Sequence, residues 1–294
     1  MKSDRLREKC IPYLFVIPAM LFLVVFTLYP LIYMIYLSFT DWTLVSKTKN
    51  FVGFDNFEYI WQRADFLNAL GNTFFYTFWT VLTLMIASIL FAVWLHKDTR
   101  LNSFTRTAMF TPHVIALLSV SMVWSWLMNE DTGLLNMLLQ SVGLPTSRWL
   151  NSSDTAMGSI VLVSWWQSVG YYTLIIFAAL QGIPSEIYEA ADLDSAGPIN
   201  RFFRITLPMI SPQVFLCLIT MTIGSFKVFE TIKVMTAGGP GKSTQVLVYY
   251  IYTTAFSMQF KIGIASAAGT VLLIIVGLLT ILYFAFLSKK VFYQ

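Results

Sequence analysis

Charge is scarce in this sequence. Asp, Glu, Lys and Arg make up 12% of its 294 residues, where soluble domains run near a quarter. That scarcity excludes an ordinary soluble domain, and the net charge of +4 is too small to be a nucleic-acid footprint. Cysteine is nearly absent. Cys10 and Cys217 stand alone, in or beside apolar runs, so no disulfide framework can be assigned and buried, inert thiols are expected. His96 and His113 are the only histidines. No second His, Cys or carboxylate falls at ligand spacing from them, so no metal site is expected. No nucleophile–base pair emerges, so no catalytic chemistry is expected.

What fills the chain is apolar, at 57% hydrophobic. A helix crossing a bilayer needs about 20 mostly apolar residues, and backbone groups in lipid must be paired within the segment. Six such segments stand out, at about 11–39, 70–96, 107–129, 156–182, 207–231 and 262–288. The fold class read from them is an all-α, six-span membrane protein forming one domain over 1–294. A further run, 243–260, holds Ser243, Thr244, Gln245, Thr253, Thr254, Ser257 and Gln259. It is too polar for a lipid-facing span and is expected as an amphipathic or partly re-entrant surface helix.

Six spans place both termini on one side, together with the loops after spans two and four. That side carries 11 Lys/Arg against 7 Asp/Glu, and the other carries 8 of each. The positive side is the cytoplasmic one, so both termini are expected inside. The first apolar run is too long for a cleaved signal peptide and has no A-x-A site.

One cytoplasmic segment is unlike its oily surroundings: "YEAADLDSAGPINRFFRITLP", residues 188–208. Ser185 is expected to cap a short helix with Glu186 in its first turn. Gly197-Pro198 breaks it, and Pro198 suits the first position of a second short helix. The result is a helix–elbow–helix, which fits either a solvated loop or a docking knob for another protein. "TAGGPGKS" at 236–243 comes close to a phosphate loop. It lacks the first glycine and a preceding strand, so a turn is expected.

The segment resembles the EAA loop of binding-protein-dependent ABC importer permeases, E-A-A-x3-G-x9-I-x-L-P. Glu189, Ala190, Ala191, Ile205, Leu207 and Pro208 match. Ser195 stands at the usual glycine. Its backbone is therefore expected to avoid left-handed dihedrals, leaving the bend to Gly197. "FVGFDNFEYI" at 51–60, "GLLN" at 133–136 and "AGGPGKSTQVLVYYIYTTAF" at 237–256 look like the carbohydrate-uptake subfamily. The form of the last is similar to the maltose or glycerol-phosphate type permease that pairs with a second, different permease.

The resemblance implies an ATP-driven importer subunit working by alternating access. Its partners would be a homologous permease, two cytoplasmic ATPase subunits, an extracytoplasmic solute-binding protein and the lipid bilayer, with no nucleic acid. ATP and magnesium would sit on the ATPase, leaving no cofactor in this chain. Glu189, Ala190, Ala191, Asp194, Ser195, Gly197, Ile205, Leu207 and Pro208 would couple to that ATPase. The substrate would be a sugar or polyol, or else a glycerol-phosphate type solute. An ion-coupled secondary transporter is the less favoured alternative, because Glu230 is the one candidate carboxylate and lies at a span edge.

Two polar stripes suggest a pathway. Ser164, Gln167, Ser168 and Tyr171 share one helix face, flanked by Trp165, Trp166 and Tyr172. Thr220, Gly224, Lys227 and Thr231 share another, with Lys227 and Glu230 spaced to pair at i, i+3. Small polar residues also serve helix packing. Gln167 and the Lys227–Glu230 pair are harder to assign to packing. Trp165, Trp166 and Tyr171 offer flat faces to a sugar ring, or belong to an interfacial aromatic belt.

Overall fold

The structure is a computed structural model, and it describes residues 13, 15–257 and 260–287. Cys10 lies outside them. The described residues are helical, with no strand beyond one isolated bridge. In chain order the helices are α1 (Phe15–Leu37), α2 (Asp55–Trp61), α3 (Ala64–Trp94), α4 (Arg100–Val114), α5 (Leu117–Leu127), α6 (Leu134–Ser141), α7 (Ala156–Gln181), α8 (Ser185–Leu193), α9 (Pro198–Arg201), α10 (Ser211–Phe226), α11 (Glu230–Met235), α12 (Leu247–Tyr252) and α13 (Ile262–Leu282). Among the described residues, five helical stretches are long and apolar enough to cross a membrane, or six if the bent pair α4 and α5 counts as one span.

The chain divides into two compact units, residues 1–63 with 251–271 and residues 64–250 with 272–294. In the first, α1 is apolar all round and its apolar window is uncovered, the pattern of a helix solvated by lipid. Past its end the chain is pinned by Asn56, whose buried amide donates to the carbonyls of Ser38 and Thr40, both at 2.8 Å. Beside that pin, Asp41 accepts from the Asn50 side chain and backbone amide. Those bonds hold its carboxyl below the usual carboxylate range. Gly263 sits against the same turn. A Cβ there would lie 1.9 Å from the Thr40 carbonyl oxygen, so only glycine permits this approach.

The second unit is built on α3 and α7, which pack along each other, with α4 on α7 and α10 on α3. Leu84, Ala92, Ile176, Leu180, Ile210, Cys217 and Met221 form its core. Lipid is as apolar as these side chains, so close fit drives the association. Gly170 shows how close: a Cβ there would stand 1.9 Å from the Met109 carbonyl.

Three expectations are corrected here. Residues 107–129 are not one straight span, because α4 and α5 meet at 99°. Pro112 supplies no N–H inside α4, and Ile115 is already extended at φ −76, ψ 139. The polar start of the 243–260 run does not lie on the surface, although Phe256 and Ser257 farther along are exposed. Thr244, Gln245, Val246 and Leu247 are buried, and the Leu247 amide donates to Thr73 Oγ1 on α3 at 2.8 Å. Their polarity is consumed internally, since Thr244 Oγ1 donates to the Gly239 carbonyl at 2.7 Å. The preceding turn is clasped to α3 by the Lys242–Asp65 ion pair at 2.7 Å. Third, Ser185 does not cap α8. Pro184 holds that position, with no side-chain cap bond.

Candidate functional site

Two places in the second unit gather the polar residues. The first is a cavity of about 390 Å³ between α3, α7 and the region joining α10 to α11. From α7 come Ser164, Gln167, Ser168 and Tyr172, and from α3 come Tyr76 and Thr80. The Tyr76 hydroxyl donates to Ser164 Oγ at 2.8 Å, tying the two walls. Thr80 Oγ1 is buried beside the Tyr76 hydroxyl. Ser168 Oγ donates to Gln167 Oε1 at 3.4 Å, which leaves the Gln167 amide nitrogen without an acceptor among the described residues. A half-buried donor lining a cavity in that state gains by meeting a hydroxyl of a solute.

The remaining wall exists because a span unwinds. Helix α10 stops at Phe226 and α11 starts at Glu230, so Lys227, Val228 and Phe229 face the cavity as irregular chain, with Glu230 beside them at the head of α11. Irregular backbone at membrane depth is tolerated where it lines a cavity. The break also separates Lys227 from Glu230. They form no ion pair among the described residues, because the i, i+3 geometry presumed a continuous helix. Gly224, Lys227 and Thr231 line the cavity as a set, whereas Thr220 does not.

The aromatic flank is arranged differently from the polar face. Trp165 packs on the α3–α7 core near Phe91. Trp166 meets Trp124 edge-on, with centroids 5.4 Å apart. Tyr171 stacks on His113 at 4.3 Å. None of the three lines the cavity; Tyr172, one turn along the polar face, does. Tyr76 and Thr80 were missed in the sequence, although Thr73, Tyr76, Thr77 and Thr80 form a readable i, i+3, i+4, i+7 stripe.

The second place is the elbow, α8 to Pro208. Glu189, Ala190, Asp194, Ser195 and Gly197 are exposed, whereas Ile205, Leu207 and Pro208 are half-buried. Ala191, at 6% exposure, is turned into its own chain. Ala190 and Ala191 are therefore not equivalent. Leu193, at 87% exposure, and Ile199, at 73%, are large apolar side chains left open on the same segment. Ser195 takes φ +54, against expectation. The Ala196 amide donates to the Ala191 carbonyl at 3.0 Å and the Ser195 amide to the Asp192 carbonyl at 3.1 Å. This paired closure of a helix C-terminus demands a left-handed residue at position 195. Gly197 is extended instead, at φ −61, ψ 156, as the residue before Pro198 must be.

Residues 62–293 match the family model for the binding-protein-dependent transport system inner membrane component. The chain belongs to this family. It is 37% identical over 284 residues to the probable ABC transporter permease protein YurN of Bacillus subtilis, covering 95% of this chain and 97% of that one. It is 34% identical over 298 residues to the sn-glycerol-3-phosphate transport system permease protein UgpA of Escherichia coli strain UTI89, covering both chains in full. The fold is that of a chain in a bacterial alginate ABC transporter solved with an alginate pentasaccharide-bound periplasmic protein. The TM-score is 0.86 at 22% identity over 99% of each chain. The protein is thus a multi-pass inner-membrane permease subunit of an ABC importer.

Proposed function

We propose that this permease passes a sugar or polyol through the cavity between α3, α7 and the α10–α11 break. The observation that carries the reading is the polar lining of that cavity, where Ser164, Gln167 and Ser168 of α7 face Tyr76 of α3 and the Gln167 amide nitrogen has no acceptor among the described residues. Gln167→Leu tests it. Uptake should fall while the complex still assembles, and unchanged uptake kinetics would return Gln167 to a packing role.

A phosphate ester is the second reading. Lys227 lines the cavity without an ion-pair partner among the described residues, and one relative bears the name of a glycerol-phosphate system. Lys227→Gln in the same assay separates the two. It should abolish uptake of an anionic solute and spare that of a neutral one.

ATP hydrolysis belongs, in this reading, to a separate ATPase whose cleft receives the elbow. Glu189 and Ala190 point outward there, and Leu193 and Ile199 give that surface apolar anchors. A second permease completes the pore, and a solute-binding protein loads it from outside. Both termini and the elbow lie in the cytoplasm, as the Lys/Arg bias requires. Single cysteines at 195 and at exposed Val45, without Cys10 and Cys217, check this on intact cells. An impermeant thiol reagent should modify position 45 and not position 195.

A further inference from the structure

Where α3 and α7 reach the elbow, a separate cavity of about 340 Å³ opens. It lies at the opposite end of α3 from the Lys242–Asp65 clasp, just past exposed Trp94. Tryptophan at the end of a span is enriched where hydrocarbon gives way to headgroups.

The lining is cationic. Lys97 and Arg201 both contribute, with His96 beside them, and among the described residues no carboxylate lines the cavity. Lys97 has no ion-pair partner among the described residues. Arg201 is held by Asp192 at 2.7 Å, but the Asp192 side chain is 64% exposed and turned to solvent. A further cation lies nearby. Buried Arg106 stacks at 4.0 Å on Phe177, the ring that also meets His96. Its partner Asp98 is 84% exposed, so the screening carboxylates are solvent-facing. Tyr188 and Thr206 line the cavity as well, their hydroxyls 3.2 Å apart. Val93, Leu180 and Phe202 add an apolar wall.

Two cations, two hydroxyls and an apolar flank at headgroup level form a seat for a phosphodiester with hydrocarbon attached. We propose that this cavity binds the headgroup of an anionic membrane phospholipid, clasped between Lys97 and Arg201. Free phosphate shares the anionic oxygens but leaves the apolar wall uncovered. Tyr188 and Arg201 are part of the elbow, so the bound lipid braces the coupling segment against the end of α3. This goes beyond the transport reading, because it needs no solute and does not involve the central cavity.

The test uses the full chain extracted in mild detergent, with bound phospholipid measured by mass spectrometry. Phosphatidylglycerol should be retained in preference to phosphatidylcholine. The Lys97→Gln and Arg201→Gln variants should each lower that retention about fivefold. Asp192→Asn, which releases Arg201 toward the cavity, should raise it, so the proposal stays testable if a charge-loss variant cannot be purified. Equal retention of the two lipids, or retention indifferent to all three variants, overturns the proposal. Displacement by inorganic phosphate as effective as by phosphatidylglycerol would make this a solute-phosphate site and overturn the lipid assignment.

Discussion

The elbow turns its charge outward, and the central cavity turns its polarity inward. In the elbow Asp192 and Arg201 pair in solvent at 2.7 Å, and Glu189 stands exposed. Such contacts fix register and partner choice more than stability. In the cavity the Gln167 amide nitrogen has no acceptor among the described residues, and an unmade hydrogen bond costs more there than in open solvent. On the proposed reading, the elbow serves another protein and the cavity serves something small that supplies hydroxyls. The first is assembled from one continuous stretch of chain, the second from three separated helices and a break.

The sharpest way to break this contrast lies within the elbow itself. Ala191 is buried in its own chain and Ala190 is open. Ala191→Trp overfills a packed site, at a cost of about 1–3 kcal/mol or more, so the chain should fail to accumulate in the membrane. Ala190→Trp should leave the chain folded but remove substrate-stimulated ATP hydrolysis in the reconstituted complex. The overfilled cleft then belongs to the partner, and the loss should be insensitive to salt. Equal accumulation of both variants, with equal activity, would make the segment a solvated loop.

This asymmetry also shows how far the sequence could be read. The elbow was legible because its signals are local: a spaced motif, a Gly-Pro punctuation and Pro198 opening a helix. Which alanine faces inward depends on packing and was not legible. The cavity was half legible. The stripe on α7 declared itself by period, but span five carries no Pro or Gly between Lys227 and Glu230 to announce its break. The fold of α4 and α5 was hidden in a similar way. Pro112 was visible, yet the chain turns only at Ile115 and Ala116, one helical turn later.

A smaller effect, confined to the cavity, comes from Gln167→Leu. The substitution keeps the volume and deletes the open amide, so the loss should be that of one substrate hydrogen bond, about 1–3 kcal/mol or roughly 5- to 150-fold in uptake efficiency. The ATPase response to loaded binding protein should persist, because the elbow is untouched. If uptake and coupling fell together, cavity and elbow would be one functional element rather than two.

The smallest effect should come from Ser195→Gly. A side chain at φ +54 crowds the following carbonyl, which costs about 1 kcal/mol that glycine avoids. The residue is held there by the two hydrogen bonds that close α8, from the Ala196 and Ser195 amides. Glycine would keep both bonds and relieve the strain, partly offset by the greater freedom it gives the unfolded chain. The elbow should open less often, and hydrogen exchange at the amides of residues 194–197 should slow by about fivefold or less. Exchange in the cavity helices should not change. Faster exchange at the elbow would mean that the Ser195 hydroxyl stabilises the turn by more than its backbone strain costs, and that serine is the better residue at this position.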